Sequence, residues 1–311
     1  MNIVQGVILK AKKLMNGSEE QDLSVSPFIS MSDCHSCTSP CQDEDHPHYP
    51  SYLKINQDKP LLYSVKSYTR HVLISTGKDD WESHIDSDKS SLAYHLSRAI
   101  DDGQRRLRET NDGKEPEKIM LTNTSRHAED WEGPGWQVII LPDHIVVNNV
   151  TPEQCDDFFE AFLKPAVGSD TLVDAEDHDA QVQAGKTTFV AHRWKAKAAV
   201  MICSHKKRDK RCGVTAPILR KEFIRILRSK NLYGDGEGDV EIWMVSHIGG
   251  HKFAGNVIVH RSEGQAVWYG RVEPCHSQAI IDSTIERGKI IRELYRGSMS
   301  GSFDHRKKLA W

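Results

Sequence analysis

The chain has 311 residues, 27% of them charged, and a formal net charge of −3, which is enough material for two domains. No stretch approaches the roughly 18 consecutive apolar residues of a membrane-spanning helix, and the small net charge gives no general attraction to nucleic acid. Seven cysteines, in a chain that shows no secretory signal, argue against a disulfide-stapled extracellular fold and favour reduced thiols.

Residues 1–67 are predicted to form a flexible polar leader. Five prolines and an acidic run interrupt residues 18–60, and such a segment cannot bury enough apolar surface to offset its ordering entropy. Cys34, Cys37 and Cys41 lie here beside three histidines. They either bind a second metal ion or form an exposed cluster without a fixed partner, since the second ligand pair of a zinc module is missing.

Residues 68–164 are predicted to form a small mixed α/β domain. Short apolar runs predict strands, and apolar residues at helical spacing predict a helix. A second helix begins at Thr151, which caps it, with Pro152 at its first position. The predicted strands cover residues 70–75, 118–121 and 136–141, and the first helix covers residues 90–101. The polar, acidic residues 165–190 are predicted to be a linker.

Residues 191–296 are predicted to form the second domain. The apolar run 198–202 is typical of a buried strand, and Cys203 follows it directly. A helix is predicted from Pro217 to Asn231. Further strands are predicted at 241–245, 257–260 and 266–270, the last two forming a hairpin, with a terminal helix over 278–295.

The order β-α-β-β-β-α, with a cysteine at the end of the first strand, suits a thioredoxin-like layout. The predicted fold class is therefore α/β of the α+β kind. A thioredoxin-like carboxyl-terminal domain packs with a smaller mixed α/β domain of similar element order. Residues 297–311, rich in glycine and serine and then basic, are predicted to be a flexible tail.

Two thiols and two imidazoles flank neighbouring predicted strands. Cys203 and Cys212 bracket an eight-residue loop, and His247 and His251 are four residues apart with two glycines between them. Paired glycines cost a helix roughly 1 kcal/mol each, so the histidine segment is predicted to be a loop. Each residue alone is typical of an ordinary core or loop position, but the four together predict a metal or cluster site.

The motifs around these residues resemble those of the sucrase/ferredoxin-like family of fungi and plants. The matching stretches are residues 202–205, 208–213 and 247–257. The resemblance covers residues 190–275 closely and the amino-terminal unit in layout and length only. Members of this family are thioredoxin-like [2Fe-2S] ferredoxins with two cysteine and two histidine ligands.

The resemblance implies that one [2Fe-2S] cluster is held by Cys203, Cys212, His247 and His251. It implies an electron carrier, rather than a self-contained enzyme, in cellular redox or metal homeostasis. Replacing two thiolates by neutral imidazoles raises the reduction potential above the roughly −400 mV of all-thiolate plant-type ferredoxins. The second nitrogen of each imidazole then couples electron transfer to protons.

The loop between the cysteines is basic. Only Asp209 opposes its cations, and an ion pair between Arg208 and Asp209 is the hypothesis for what shapes it. The surplus charge would stabilise a reduced cluster and attract a redox partner protein with an acidic docking face. The candidate supporting or docking residues are His205, Lys206, Lys207, Arg208, Asp209, Lys210 and Arg211.

Both ends of the chain bear on location. The first fifteen residues are basic and apolar but contain no arginine, so they match a mitochondrial presequence poorly. We expect a cytoplasmic protein, with the nucleus as a second location, rather than a mitochondrial one. The terminal Leu309, Ala310 and Trp311 resemble the tripeptide by which iron-sulfur clients meet the cytosolic assembly machinery, although Ala310 departs from the usual residue.

Two other functions compete for the same residues. Cys2His2 is a normal tetrahedral zinc set, so a structural zinc protein is the main alternative. A thiol-disulfide oxidoreductase is the second, but Cys203 is followed by Ser204, His205 and Lys206, and the resolving thiol of a C-x-x-C motif is absent. The glycines near 249–255 do not spell a dinucleotide-binding motif.

Overall fold

The computed structural model describes residues 28–29, 46–110, 116, 118–127, 133–167, 179–300 and 302. The strands of this part of the chain are β1 Phe28–Ile29, β2 Arg70–Ser75, β3 Ile119–Thr124, β4 Trp136–Leu141, β5 Ile145–Val150, β6 Ala180–Ala184, β7 Thr187–Arg193, β8 Ala198–Cys203, β9 Val240–Val245, β10 Val257–Arg261, β11 Ala266–Tyr269, β12 Ile290–Ile291 and β13 Tyr295–Ser298. The helices are α1 Leu92–Thr110, α2 Cys155–Phe158, α3 Lys210–Ser229 and α4 His276–Ala279, and π-helical segments Phe159–Leu163 and Ile280–Ile285 continue α2 and α4.

One mixed sheet runs through both halves of the protein. Its order is β13-β11-β10-β8-β9-β3-β2-β4-β5-β7-β6, while β1 and β12 pair separately. In the carboxyl-terminal half, parallel β8 and β9 are joined by α3, and β10 and β11 are antiparallel beside β8. This is the predicted thioredoxin-like order, and the α+β fold class is confirmed.

The amino-terminal half repeats the arrangement. Parallel β2 and β3 are joined by α1, and β4 and β5 follow as antiparallel neighbours of β2. The halves meet where β3 and β9 run antiparallel, with Thr124 opposite Val245. Serine side chains complete this short pairing, since Ser246 accepts from the Asn123 N–H and Ser125 accepts from the Met244 N–H.

The buried apolar side chains of these elements form three clusters. One lies under α3 in the carboxyl-terminal half, and a second lies under α1 and α2 in the amino-terminal half. The third combines residues of both halves, including Leu73, Ile139, Trp243 and Trp268, and it also contains Cys203 and Cys212. The two candidate cysteine ligands therefore lie in a core that both halves build.

Residues 165–190, predicted to be a linker, contain β6 and the beginning of β7. The two strands form a hairpin that extends the sheet beyond β5. Val182 and Phe189 are buried while their polar neighbours face outward, so only one side of this hairpin is apolar. A strand with one solvent-exposed face is rich in polar residues, as a linker is, and for this reason the prediction was wrong here.

The end of the chain also differs from the prediction. The terminal helix predicted over 278–295 ends at Ile285, and β12 and β13 follow it. β13 pairs with β11 at the sheet edge, so residues 297–300 belong to the folded structure rather than to the tail. The apolar residues that read as one helical face are divided between a short helix and two strands.

The leader is not flexible over residues 46–67. The Asn56 N–H donates to the Lys252 carbonyl, the Tyr49 hydroxyl donates to the Val272 carbonyl, and Leu61 is buried. The segment is polar, yet it folds because it packs on a surface that the carboxyl-terminal half provides. Among the helices of the described residues, none has the length and apolar character that crossing a membrane requires.

Candidate metal centre

The two cysteines lie where β8 ends and α3 begins. Cys203 is the last residue of β8, and its N–H donates to the Asn256 carbonyl at the start of β10. Cys212 lies in the first turn of α3, which begins at Lys210, before the predicted start at Pro217. Asp209 caps this helix by accepting from the Arg211 N–H at 2.9 Å. The apolar strand and the capped helix thus place both thiols in the core.

The thiols form a buried hydrogen-bonded pair, each 1% exposed or less. The hydrogen bond with Cys212 lowers the pKa of Cys203 well below that of a free thiol, against burial and with help from His247 and the Ile248 backbone. The pKa of Cys212 is raised, because a thiolate on Cys203 lies beside it. The pair therefore favours one thiolate, which is the metal-binding form.

The histidines lie in the loop between β9 and β10. Gly249 and Gly250 have φ of +88° and +70°, a region that side-chain-bearing residues rarely adopt, so the loop predicted from the paired glycines is confirmed. The rings of His247 and His251 lie 5.5 Å apart at an angle of 35°. The Nδ1 atom of His247 is buried and has no hydrogen-bond partner among the described residues.

The thiol pair and the imidazole pair are neighbours. His247 lies close enough to Cys203 to help lower the pKa of its thiol, and His251 Nε2 lies 3.9 Å from Asp209 Oδ2 at the start of α3. The thiols are enclosed, whereas the His251 side chain is 46% exposed. Within the described ranges, no three or more His, Cys, Asp or Glu side chains are grouped closely enough to hold a single metal ion.

The donor set fits the [2Fe-2S] group that the sequence motifs imply. Two buried thiols supply soft sulfur ligands, and two imidazoles supply nitrogen ligands, one of them with an orphaned buried nitrogen. Partial burial lowers the pKa of His251, with Asp209 acting in the opposite direction. The lowered pKa favours the neutral imidazole, which is the ligating form.

His205 connects the histidine loop to the amino-terminal half. It is buried, and its Nε2 lies 2.9 Å and 2.8 Å from the carbonyl oxygens of Trp81 and Glu82. Because carbonyl oxygens only accept, Nε2 carries the hydrogen and Nδ1 accepts, here from the His247 N–H at 2.9 Å. This predicted supporting residue therefore positions the backbone of His247.

The basic loop packs on residues 79–84 of the amino-terminal half. Lys207 pairs with Glu82, and its N–H donates to Asp80. Arg208 donates to the Ser83 carbonyl at 3.2 Å and lies 2.9 Å from His84 Nε2.

The predicted ion pair between Arg208 and Asp209 is wrong. Asp209 instead holds Arg211 through two hydrogen bonds of 2.9 Å to its Nε and Nη2 atoms, since a helix-capping carboxylate faces into the first turn. Lys206 and Lys210 are the exposed lysines of this loop that have no ion pair among the described residues.

Sequence reasoning missed Arg296, a buried arginine of β13. Its Nη1 donates to the Asn256 side chain at 2.7 Å and to the Gly249 carbonyl at 3.2 Å. It directly follows the segment 278–295 that was predicted to be helical, and no local pattern distinguishes it from a surface arginine. Two sets of predicted residues lie outside the described part of the chain: Cys34, Cys37 and Cys41, and Leu309, Ala310 and Trp311.

Known proteins are similar to most of this chain. Residues 61–297 match the family described as sucrase/ferredoxin-like. Actin patches distal protein 1 of Saccharomyces cerevisiae is 32% identical over 288 residues, which cover 86% of each chain. Altered inheritance of mitochondria protein 32 of Debaryomyces hansenii is 45% identical over 275 residues, 79% of this chain and 90% of that protein. The comparison with solved structures found no match.

These names bear on the location expected from the sequence. The protein of the same name from Clavispora lusitaniae is 50% identical over 101 residues, 32% of this chain and 35% of its own. The repeated name of these relatives refers to mitochondria, and it contradicts the cytoplasmic location expected above. That expectation depended on the missing arginines of the first fifteen residues, a compositional rule that does not cover every route to an organelle.

Proposed function

Since the chain belongs to the sucrase/ferredoxin-like family, we propose that it is a one-electron carrier whose [2Fe-2S] cluster is bound by Cys203, Cys212, His247 and His251. The observation that carries the proposal is the adjacency of a buried thiol pair and a more exposed imidazole pair. A two-iron cluster divides its four ligands between two metal ions, and this arrangement supplies one pair for each. When bound, the cluster supplies reversible one-electron transfer.

The protein residues have separate tasks in this proposal. The thiolates of Cys203 and Cys212 hold the enclosed side, where burial excludes water. His247 and His251 hold the outer side, and the exposed ring of His251 lies where protons enter from solvent. His205 and Asp209 position the two loops through the His247 N–H and the first turn of α3.

The physiological setting is a further part of the proposal. We expect a role in redox or metal homeostasis, with the mitochondrial involvement that the relatives' names state. Lys206 and Lys210 are exposed and would attract an acidic redox partner. Recruitment of an assembly partner by Leu309, Ala310 and Trp311 stays a prediction, which deletion of Trp311 tests through cluster occupancy in cells.

Anaerobic purification with visible and paramagnetic resonance spectroscopy tests the proposal. We expect a red-brown protein with two irons and two sulfides per chain. His247→Cys and His251→Cys should keep a cluster while moving its potential towards the roughly −400 mV of all-thiolate proteins. A colourless protein with one zinc ion per chain would show that the structural zinc alternative is correct.

The thiol-disulfide oxidoreductase alternative is favoured by one observation. Cys203 and Cys212 lie in one buried cluster, and interaction with Cys212 lowers the pKa of Cys203. Their burial opposes reaction with a protein substrate, since a thiolate must reach the disulfide that it attacks. Insulin reduction by the metal-free protein, abolished in Cys212→Ser, would support this alternative.

A further inference from the structure

Arg296 is a buried cation next to the histidine loop. It is 1% exposed, and the described ion pairs do not include it. Burial lowers its pKa to about 10, while thiolates on Cys203 and Cys212 act in the opposite direction. A guanidinium with this pKa stays charged at neutral pH, so the core of this half contains a fixed positive charge that is linked to the Cys203 backbone through Asn256.

Neutral groups surround this charge. Arg296 donates through Nε to the Ser64 hydroxyl at 3.0 Å and through Nη1 to the Asn256 side-chain oxygen at 2.7 Å. Its guanidinium carbon also lies 5.4 Å from the Phe253 ring centroid and 5.7 Å from that of Trp268. These contacts satisfy the guanidinium without cancelling its charge, as a carboxylate would.

The chain leaves space for this side chain. A Cβ atom added to Gly250 would lie 2.2 Å from Arg296 Nη2, and one added to Gly270 would lie 2.7 Å from its Cδ. Contacts this short do not occur, so both positions need glycine while Arg296 is in place. The arginine and two glycines, which come from three separate segments, thus form one built site.

Asn256 links the arginine to the candidate ligands. Its side-chain oxygen accepts from Arg296, its side-chain nitrogen donates to the Gly250 carbonyl at 3.0 Å, and its own carbonyl accepts from the Cys203 N–H at 3.1 Å. Arg296 also donates directly to the Gly249 carbonyl at 3.2 Å. The histidine loop and the end of β8 are therefore held by one hydrogen-bonded network around the guanidinium.

We propose that Arg296 is the positioning and charge-setting residue of the redox site, which holds the histidine loop and favours the reduced state by its fixed positive charge. The proposal rests on the proposed [2Fe-2S] function. One electron from a redox partner adds one negative charge to the site, and a nearby cation lowers the free energy of that state. Because the cation is buried, salt screens it far less than the exposed lysines of the basic loop.

Arg296→Gln and Arg296→Lys separate the charge from the hydrogen bonds. Arg261 supplies the matched control, since it is a buried arginine of the same half whose neighbours are Gln265, Glu263 and the Ile285 carbonyl. We expect Arg296→Gln to shift the one-electron reduction equilibrium at least tenfold towards the oxidised state, a midpoint potential lower by 59 mV. Arg296→Lys should keep most of the wild-type potential, and Arg261→Gln all of it.

Hydrogen exchange of the metal-free protein tests the hold on the loop. Amides of residues 249–256 should exchange faster in Arg296→Gln and Arg296→Lys, and at the wild-type rate in Arg261→Gln. Equal potentials in wild type and a loaded Arg296→Gln protein, or unchanged exchange in both variants, would overturn the proposal. Wild-type protein without iron would instead overturn the [2Fe-2S] function, and the exchange rates would still decide whether Arg296 holds the loop.

Discussion

The two halves of the sheet have the same strand order but contribute different residues to the candidate site. Cys203 ends the first strand of the carboxyl-terminal half, and Ser75 ends the corresponding strand of the amino-terminal half. The short connection after Cys203 leads into α3 and returns a second thiol. The longer connection after Ser75 contains residues 79–84, which pack on the basic loop. The same layout thus carries the candidate ligands in one half and the residues that pack against their loop in the other.

This difference shows that the strand-end loops, rather than the strand order, determine what each half does. Both first strands are buried along their whole length. The support is specific all the same, because His205 binds two backbone carbonyls of the other half and, through its second nitrogen, the His247 N–H. A substitution in the amino-terminal half that breaks these hydrogen bonds is therefore expected to displace the backbone of His247.

The largest expected effect is the loss of iron when a buried cysteine of the carboxyl-terminal half is replaced. Cys203→Ser should remove the visible absorbance and the iron, because it deletes a buried ligand. Cys155→Ser is the matched control, since Cys155 is a buried free cysteine of the amino-terminal half. It should retain full iron content. Loss of iron in both variants would mean that folding, rather than ligation, is being measured.

The next effect tests the support across the halves. His205→Ala leaves the His247 N–H and the Trp81 and Glu82 carbonyls without this partner, and outer-shell changes of this kind cost roughly tenfold or more in metal affinity. The measurement is iron retention during timed exposure to a chelator. His95→Ala, on α1, should behave as wild type. Wild-type retention in His205→Ala would show that the amino-terminal half does not support the site.

The pH dependence of the potential tests the role of the outer histidines. Reduction raises the proton affinity of a ligating imidazole, so protons are bound with the electron and higher pH opposes reduction. The midpoint potential should fall as pH rises, by up to about 59 mV per pH unit when one proton accompanies one electron. His251→Cys should flatten this slope. A pH-independent wild-type potential would contradict histidine ligation.

The smallest expected effect distinguishes an exposed lysine of the basic loop from a lysine that pairs with the amino-terminal half. Lys206→Gln should slow electron exchange with an acidic partner at low salt and have no effect at high salt, because its charge is exposed. Lys207→Gln should change that rate less, since Lys207 already pairs with Glu82. The check is the rate of reduction by such a partner across a salt series. Equal losses in both variants would mean that Lys207 also faces the partner.

The backbone of the candidate site was predicted more accurately from the sequence than the segments around it. The apolar run before Cys203 and the paired glycines between the histidines determine local backbone, so the strand end and the loop were predicted correctly. The start of α3 was placed too late, because Pro217 is typical of a first helical turn and the cap by Asp209 was not recognised. The ion pair of Asp209 was assigned to Arg208 because sequence adjacency does not reveal which side chain faces the helix end.

The sequence by itself determined the four candidate ligands, the main strands of the carboxyl-terminal half up to β11 and the basic loop between the cysteines. These features depend on residue type and short-range spacing, which can be read directly from the sequence. Only the tertiary structure decided that β3 meets β9, that residues 46–67 pack on the carboxyl-terminal half, and that Arg296 bonds to the histidine loop. Such contacts join distant segments, and their geometry follows from the register of the whole sheet, which no local pattern encodes.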